Sequence, residues 1–414
     1  LYFVGVNSTD GTMQLDNISV KEVVAPTNSG LIMDGDFEAT EQIAAFNVNS
    51  VADSTWYKKE TKGEGVVTLS TDADHGNYVK IGDRGEIVQK VSDIKADEGA
   101  VITFKAKVDN GNNATNDSFT LYLCPKSWHN WYYGNIRFSP TAEWAEYTVI
   151  YNPQAGASNS FNGNGLATGN MTPVQAGIDK INAGTGGSYT WDPEEEIILR
   201  ILNNSKTASK PDVELYIDDI HIEKLDPFAS NDLGQAELTG VSMRGANGSL
   251  PTAIRWKNAI AKTFAENGIG EFKVIEYGAL VANTSTLEAN NEKLTETATS
   301  PKVTGVAYNS TTSTSKLFDV TNDHNIFSLA LYGITAANYG KALTVRPYAK
   351  VSNEKYTLTI YGESRSNSLF DACHAVLSGT NEADIAVVKD ILTETDAVKQ
   401  AYLDEYAVDA EKLQ

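Results

Sequence analysis

Four large aromatic side chains lie within six residues of one another near the middle of the first half of the chain. They are Trp128, Trp131, Tyr132 and Tyr133, in the segment SWHNWYYGNIR that ends at Arg137. A strand alternates its faces, so four such rings cannot all enter one core and some must be partly exposed. Exposed rings stack on the apolar C–H faces of sugars, and polar side chains bind sugar hydroxyls. We therefore take Trp128, Trp131, Tyr133 and Arg137 as candidate carbohydrate-binding residues. The alternative is that the rings close one end of a β-sandwich.

Trp56 and Tyr57 are second candidates for sugar binding because they lie in a polar stretch, DSTWYKKE. Trp144, in AEWAEYTV, is expected to be a core residue. Trp191 follows a long Gly-, Asn- and Ser-rich segment, and long loops of this kind are often functional or disordered.

No arrangement of residues in the sequence predicts catalysis. There is no Gly-x-Ser-x-Gly nucleophile motif and no phosphate-binding loop. Glycoside hydrolysis needs two carboxylates across a cleft, and among 54 acidic residues sequence proximity alone cannot identify such a pair. None of the histidines forms a closely spaced metal-binding pair; they are His75, His129, His221, His324 and His374. We expect no enzyme within this chain.

The charge of the chain excludes two classes of partner. The formal net charge is −21 and the pI is near 4.6, so phosphate backbones and anionic membranes are repelled. Neutral sugars carry no such penalty. No stretch of about 18 apolar residues predicts membrane insertion. The two cysteines, Cys124 and Cys373, fall in different predicted domains, which argues against a disulfide between them.

The elements that must position these residues are short strands. Apolar/polar alternation in VITFKAKV and β-branched or aromatic density in FTLYLC and EYTVIY predict an antiparallel β-sandwich over residues 31–226. We expect strands near 65–70, 77–81, 86–91, 100–108, 117–124, 132–138, 145–151, 196–202 and 213–223.

The start of the chain partly repeats the end of this sandwich. LYFVGVNSTDGTMQLDNISVKE at positions 1–22 and LRILNNSKTASKPDVELYIDDIHIEK at 199–224 share a strand, a polar turn and a closing Asp-Asn/Asp-Ile strand. Residues 1–24 are therefore expected to be the last strands of a preceding sandwich module, with more protein upstream. The alternative is that two strand pairs share a generic pattern.

Three motifs together resemble a known family. The opening LIMDGDFE, the central SPTAEWAEYTVIY and the closing VELYIDDIHIEK are similar to those of jelly-roll carbohydrate-binding modules attached to bacterial xylanases and endoglucanases. The resemblance implies a non-catalytic jelly roll that binds polysaccharide, with β-glucan or xylan as the usual ligand. Family members often place a binding-site aromatic near the position of Trp56 and Tyr57.

The same resemblance implies a structural calcium ion where the opening and closing strands meet. It makes Glu38 and either Asp218 or Asp219 the side-chain candidates, and calcium does prefer carboxylate and carbonyl oxygens. Neighbouring strand residues face opposite sides, so only one of the two aspartates should point at the ion, and we favour Asp219. The alternative is two exposed acids on an edge strand.

The second half of the chain predicts a different module. Segments such as IRWKNAI, EYGALVA and VRPYAKV indicate an immunoglobulin-like (Ig-like) sandwich over 233–363, resembling a domain of large secreted Firmicutes proteins. Helical spacing in SLFDACHAVL, NEADIAVVKDIL and ETDAVKQAYLDEYA indicates a helical segment over 364–414. Asn381 or Glu382 is expected at the start of the second helix, and Thr393 is expected to cap the third.

Two functions follow from these expectations. The first is a non-catalytic, polysaccharide-binding portion of a larger secreted or cell-surface bacterial protein. The second is a structural extracellular protein, such as an adhesin, an S-layer protein or a filament component, whose sandwiches do not bind sugar. Self-assembly of the chain is compatible with both.

Overall fold

The computed structural model describes residues 30–47, 51–52, 55–60, 66–95, 98–109, 119–126, 136–138, 140–151, 196–203, 213–228, 241–245, 251–270, 272–353 and 357–413. These residues are mainly strands, arranged in four sheets, with helices concentrated at the C-terminal end. The predicted class, mainly β with antiparallel sandwiches and a C-terminal helical segment, is confirmed. The proposed repeat over 1–24 lies outside the described residues.

The first sandwich consists of two sheets. Sheet A has six strands in the order β1-β2-β5-β10-β7-β8, and sheet B has five in the order β3-β4-β11-β6-β9. Every pair is antiparallel except β1 with β2. The strands are β1 Ala44–Ala45, β2 Tyr57–Glu60, β3 Val67–Asp72, β4 Gly76–Ile81, β5 Gly85–Val91, β6 Ala100–Val108, β7 Phe119–Pro125, β8 Ile136–Phe138, β9 Ala145–Tyr151, β10 Ile197–Asn203 and β11 Leu215–Lys224.

Alternation along the strands explains why these segments form a sandwich. In β6 the residues alternate between buried and half-buried, so Ile102 and Phe104 enter the core while Lys105 and Lys107 face outwards. Strands β5 and β10 depart from this pattern, because nearly every residue in them is buried. The centre of sheet A is therefore buried on both faces. Its outer face is not exposed to solvent there, as the outer face of an ordinary sandwich sheet would be.

The second sandwich also has two sheets. Sheet C has the order β12-β13-β18-β17, and sheet D has the order β16-β15-β14-β19-β20, with β21 also pairing with β19. The strands are β12 Val241–Arg244, β13 Ala253–Ala261, β14 Lys273–Asn283, β15 Lys302–Asn309, β16 Thr314–Ser315, β17 Leu317–Val320, β18 His324–Tyr332, β19 Leu343–Ser352, β20 Thr357–Tyr361 and β21 Arg365–Asn367. Two short helices that the sequence patterns missed, α1 (Lys262–Asn267) and α2 (Thr284–Ala289), follow β13 and β14.

Three further helices close the second core. They are α3 (Leu369–Leu377), α4 (Glu382–Leu392) and α5 (Asp396–Glu405), and 3-10 turns span Ala336–Asn338 and Ala407–Asp409. Their apolar sides join the same buried cluster as Trp256 and Phe327. The helical segment is thus part of the second core.

The helix caps confirm one expected start and correct another. The side chain of Asn381 accepts backbone N–H groups at the start of α4, as predicted. Thr393 was expected to cap α5, but it ends α4, and the hydroxyl of Thr395 accepts the N–H of Val398 instead. A side chain caps a helix by reaching the N–H of its second or third residue, which sets the cap just before the helix begins.

Candidate functional site

The outer face of sheet A carries a row of aligned side chains across four strands. Val88 of β5 is paired with Tyr57 of β2 and with Arg200 of β10, and Arg200 is paired in turn with Tyr122 of β7. Directly paired residues point to the same side of a sheet. The neighbours of these residues along each strand, such as Ile87 and Leu199, enter the core. The row therefore lies on the side of the sheet opposite to the core.

A buried ion pair occupies the centre of this face. Arg200 Nε donates to Glu86 Oε2 at 2.8 Å, and Nη2 of the same guanidinium donates to the same oxygen. Lys59 Nζ lies 3.9 Å from Glu86 Oε1. Glu86 is 4% exposed and Arg200 is 6% exposed. Both charges are thus largely removed from water, and each is compensated by the other.

Two tyrosines flank the ion pair. The guanidinium carbon of Arg200 lies 5.2 Å from the ring centroid of Tyr122, which is within the range of a cation–π contact. The hydroxyl of Tyr57 accepts the backbone N–H of Ala52 at 2.9 Å, and its ring meets that of Phe46 edge-on. Burial raises the pKa of Tyr122, so its phenol stays protonated and can both donate and accept hydrogen bonds. The face combines a fixed charge pair with aromatic surface.

The structure corrects the expectation for Trp56. Its side chain is 1% exposed, it packs against Phe37 in the first core, and its Nε1 donates to the carbonyl oxygen of Asp34 at 2.8 Å. A ring buried in this way offers no face to a sugar. Tyr57, the next residue, points to the opposite side and lies on the outer face of sheet A, where it is 7% exposed.

The other predicted sugar-binding residues fall in or beside the connection between β7 and β8. Trp128, Trp131 and Tyr133 lie outside the described residues. Arg137 belongs to β8, where it is paired with Thr120, and its side chain is not described. Both strands that flank this connection belong to sheet A.

Each of the three predicted calcium ligands, Glu38, Asp218 and Asp219, has a partner in the structure. Glu38 Oε1 accepts the backbone N–H of Asn77 at 2.7 Å, which fixes it at the turn between β3 and β4. Among the described residues no three His, Cys, Asp or Glu side chains are arranged to hold a metal ion. The calcium ion implied by the sequence resemblance therefore stays a prediction.

Asp218 and Asp219 differ in burial, and the preference for Asp219 as the calcium ligand stays a prediction. Asp219 has a positive φ of 49° at a bulge in β11, and its carboxylate pairs with Lys105 at 2.6 Å at the surface. Asp218 is the buried member, at 4% exposure, and accepts the N–H of Asp219 at 2.7 Å. Burial, followed by the charge of Asp219, raises the pKa of Asp218 to about 7.

The outer face of sheet B carries an aromatic cluster that the sequence did not predict. Trp144 was expected in the core, but it is half-buried and meets the rings of His75 and Tyr78 edge-on, with centroid distances of 4.8 and 5.7 Å. Lys107 Nζ lies 5.0 Å from the Trp144 ring centroid and 5.1 Å from that of Tyr216. Trp144 immediately precedes β9, so the alternation of that strand does not determine the side it faces.

Comparison with known proteins gives weak similarities. No family model and no curated protein matches the chain. Among solved structures, a protein from Bacteroides thetaiotaomicron described as sugar-binding aligns with 47% of this chain and 99% of its own, at 14% identity and a TM-score of 0.28. A CBM4 structure aligns with 41% of this chain and 94% of its own, at 10% identity and a TM-score of 0.25.

A catalytic protein is also among the similar structures. A β-glucuronidase from Bacteroides uniformis aligns with 76% of this chain and 31% of its own, at 9% identity and a TM-score of 0.20. At such identities and TM-scores these similarities assign neither a ligand nor an activity to this chain. Within the described residues, no helix is long and apolar enough to span a membrane.

Proposed function

We propose that the chain binds polysaccharide without cleaving it, on the outer face of sheet A together with the connection between β7 and β8. The observation that carries this proposal is the buried pair of Arg200 and Glu86, flanked by Tyr57 and Tyr122, on the side of the sheet away from the core. Fixed polar groups beside aromatic surface are the usual lining of a sugar site.

The energetics of the pair support a role in recognition. A buried ion pair seldom stabilises a fold more than apolar residues of the same size would, because desolvation offsets the attraction. Apolar side chains fill the opposite side of the same strands, so sheet A does not need charges for packing. We assign Arg200 and Glu86 to the polar floor of the proposed site.

The rings in this account have two different tasks. Tyr57 and Tyr122 are 7% and 5% exposed, so they form a floor with little open ring surface. We assign stacking to Trp128, Trp131 and Tyr133, because the segment that carries them joins two strands of sheet A. The floor then contributes its shape and its fixed charge pair. β-Glucan and xylan are the proposed ligands.

The second sandwich is proposed to be Ig-like and to act as a spacer or packing partner. Its sheets have the orders β12-β13-β18-β17 and β15-β14-β19-β20. If these strands are lettered along the chain, the orders correspond to A-B-E-D and C′-C-F-G, which supports the Ig-like assignment. We propose that the whole chain is part of a larger secreted protein, either released or attached to the cell surface.

Affinity electrophoresis of the full chain tests the proposed function. The gels contain xylan, mixed-linkage β-glucan, mannan or starch. We expect retardation by xylan or β-glucan that is lost in the Trp128→Ala/Trp131→Ala variant and weakened at least tenfold in Tyr122→Ala. The matched control, Tyr78→Ala on the outer face of sheet B, should keep the retardation. Equal mobility in all four gels would overturn the proposal, as would retardation that depends on Tyr78 alone.

A further inference from the structure

The outer face of sheet C is basic, although the chain as a whole is strongly acidic. Its strands β12, β13, β17 and β18 contain three cationic side chains, Arg244, Arg255 and Lys257, against one carboxylate, Asp319. The formal charge of the entire chain is −21. A local excess of cations in an acidic protein creates a field that attracts acidic surfaces.

Exposed aromatic rings hold these cations at the surface. Arg255 Cζ and Lys257 Nζ lie 4.9 and 4.6 Å from the ring centroid of Phe318, and Arg244 Cζ lies 5.5 Å from that of Tyr332. Phe318 is 46% exposed and Tyr332 is 61% exposed, which is unusual for rings of this size. Exposed aromatic surface beside arginine is typical of protein interaction sites.

Small side chains lie opposite the cations of β13 on this face. Arg255 is paired with Ala330 and Lys257 with Ser328, and Ala253 is paired with Tyr332. We call this surface, defined by Arg244, Arg255, Lys257, Phe318 and Tyr332, the basic face. Its exposed rings and cations give a surface that a helix can contact.

Helix α4 has an exposed side that complements the basic face. Its buried side consists of Val388, Ile391 and Leu392. The exposed side carries small residues, the partly exposed Val387, and acids, with the half-buried Lys389 as its one cation. The exposed acids in and just after α4 are Glu382, Asp384, Asp390 and Glu394. Val387 at 41% exposure provides apolar surface for Phe318 and Tyr332, while the carboxylates match the cations.

We propose that two copies of this chain associate by placing α4 of one copy on the basic face of the other. Each copy carries both surfaces, so the contact is between unlike patches and either closes on itself or extends into a chain of copies. Charge complementarity supports this partner, since the two surfaces have opposite sign and each places exposed apolar side chains among its charges. This surface is separate from the outer face of sheet A, and its occupant is protein rather than sugar.

Sedimentation and light scattering of the full chain test the proposal with two variants, each of which reverses the charges on one of the two surfaces. One variant is Arg255→Glu/Lys257→Glu, and the other is Asp384→Lys/Asp390→Lys. At about 50 mM salt we expect the mass of the unmodified chain to rise above its monomer value of 44.8 kDa with concentration, and to return to it near 1 M salt. Each variant alone should stay monomeric. An equimolar mixture of the two should associate again, because the exchanged charges match.

Two controls keep loss of folding apart from loss of association. Lys273→Glu/Lys302→Glu reverses the same charge on sheet D and should associate like the unmodified chain. Thermal unfolding of each monomer is recorded in the same samples, and Arg255→Gln/Lys257→Gln replaces the first variant if that one does not fold. The proposal is overturned if the unmodified chain remains monomeric at all concentrations. It is equally overturned if folded variants still associate alone, or if their mixture remains monomeric.

Discussion

Arg200 and Glu86 depend on each other because burial removes both from water. We predict that Arg200→Met lowers the free energy of unfolding by about 3–5 kcal/mol, since it leaves the Glu86 carboxylate buried without its partner. Adding Glu86→Gln to Arg200→Met should recover most of that loss, because no buried charge then remains. Urea unfolding of four chains, namely the unmodified chain, Arg200→Met, Glu86→Gln and the double variant, gives the coupling free energy. Additive losses in the double variant would show that the two groups are not coupled.

Asp218 predicts a dependence of stability on pH. Its pKa of about 7 lies above the ordinary 3.8, so the folded chain holds this proton more tightly than the unfolded chain does. The resulting stabilisation is complete below about pH 4 and is lost as the pH rises through 7. Asp218→Asn keeps an acceptor for the N–H of Asp219 but carries no charge. We expect it to stabilise the chain by about 1–3 kcal/mol at pH 8 and to have little effect at pH 4.

Calcium would reverse the sign of this effect. If an ion bound Asp218 at pH 8, Asp218→Asn would destabilise the chain in calcium buffer, and EDTA would lower the melting temperature of the unmodified chain. The calcium prediction made from the sequence requires this drop with EDTA. A melting temperature that EDTA leaves unchanged would remove the metal prediction.

The turn after α1 requires glycine at position 268. Gly268 has a φ of 73°, and a Cβ at this position would lie 1.9 Å from the carbonyl oxygen of Phe272. We expect Gly268→Ala to destabilise the second sandwich by more than about 2 kcal/mol, because backbone conformation and a steric clash both oppose it.

Gly333→Ala is the matched control: its φ is 78°, but no atom lies within 4 Å of the added Cβ. It should cost only about 1–2 kcal/mol in thermal unfolding. Equal losses would mean that the clash at Gly268 is relieved by movement of the turn.

Strand positions could be predicted from the sequence where apolar and polar residues alternate or where β-branched and aromatic residues are dense. The segments expected at 86–91, 100–108 and 145–151 coincide with β5, β6 and β9. The helices α1 and α2 were missed because each is a six-residue segment between long strands and shows no full amphipathic period. The C-terminal helices were found because Leu369, Phe370 and Cys373 repeat at helical spacing.

The faces of individual aromatic residues could not be predicted in the same way. Trp56 and Trp144 each lie just before a strand, where the pattern of that strand does not determine the side chain's direction. Both assignments were therefore wrong. Trp56 was expected to bind sugar but is in the core, and Trp144 was expected in the core but is on an outer face. Arg200, Glu86 and Tyr122 were missed as site residues because their nearness depends on pairing between strands more than 70 residues apart.

At the scale of the whole molecule, the second core is shared between sheets and helices. Phe370, Cys373, Ile391 and Tyr402 from the helices pack in the same cluster as Trp256 of the second sandwich. Burial of each such side chain is worth about 1.5–3 kcal/mol, so losing the four would cost about as much as the net stability of an ordinary domain. We therefore predict that a chain ending at residue 363 loses the unfolding transition of the second sandwich in calorimetry but keeps that of the first. Two unchanged transitions would show that the helices are dispensable for the second core.

The central claim is that the outer face of sheet A, with its adjoining connection, is the place where sugar binds. A crystal structure of the full chain soaked with xylo- or gluco-oligosaccharide tests it most directly. We predict a sugar chain above Arg200, Glu86 and Tyr122, in contact with rings from the connection between β7 and β8. Sugar bound instead at the Trp144 cluster on sheet B, or crystals that take up none of these oligosaccharides, would contradict the account.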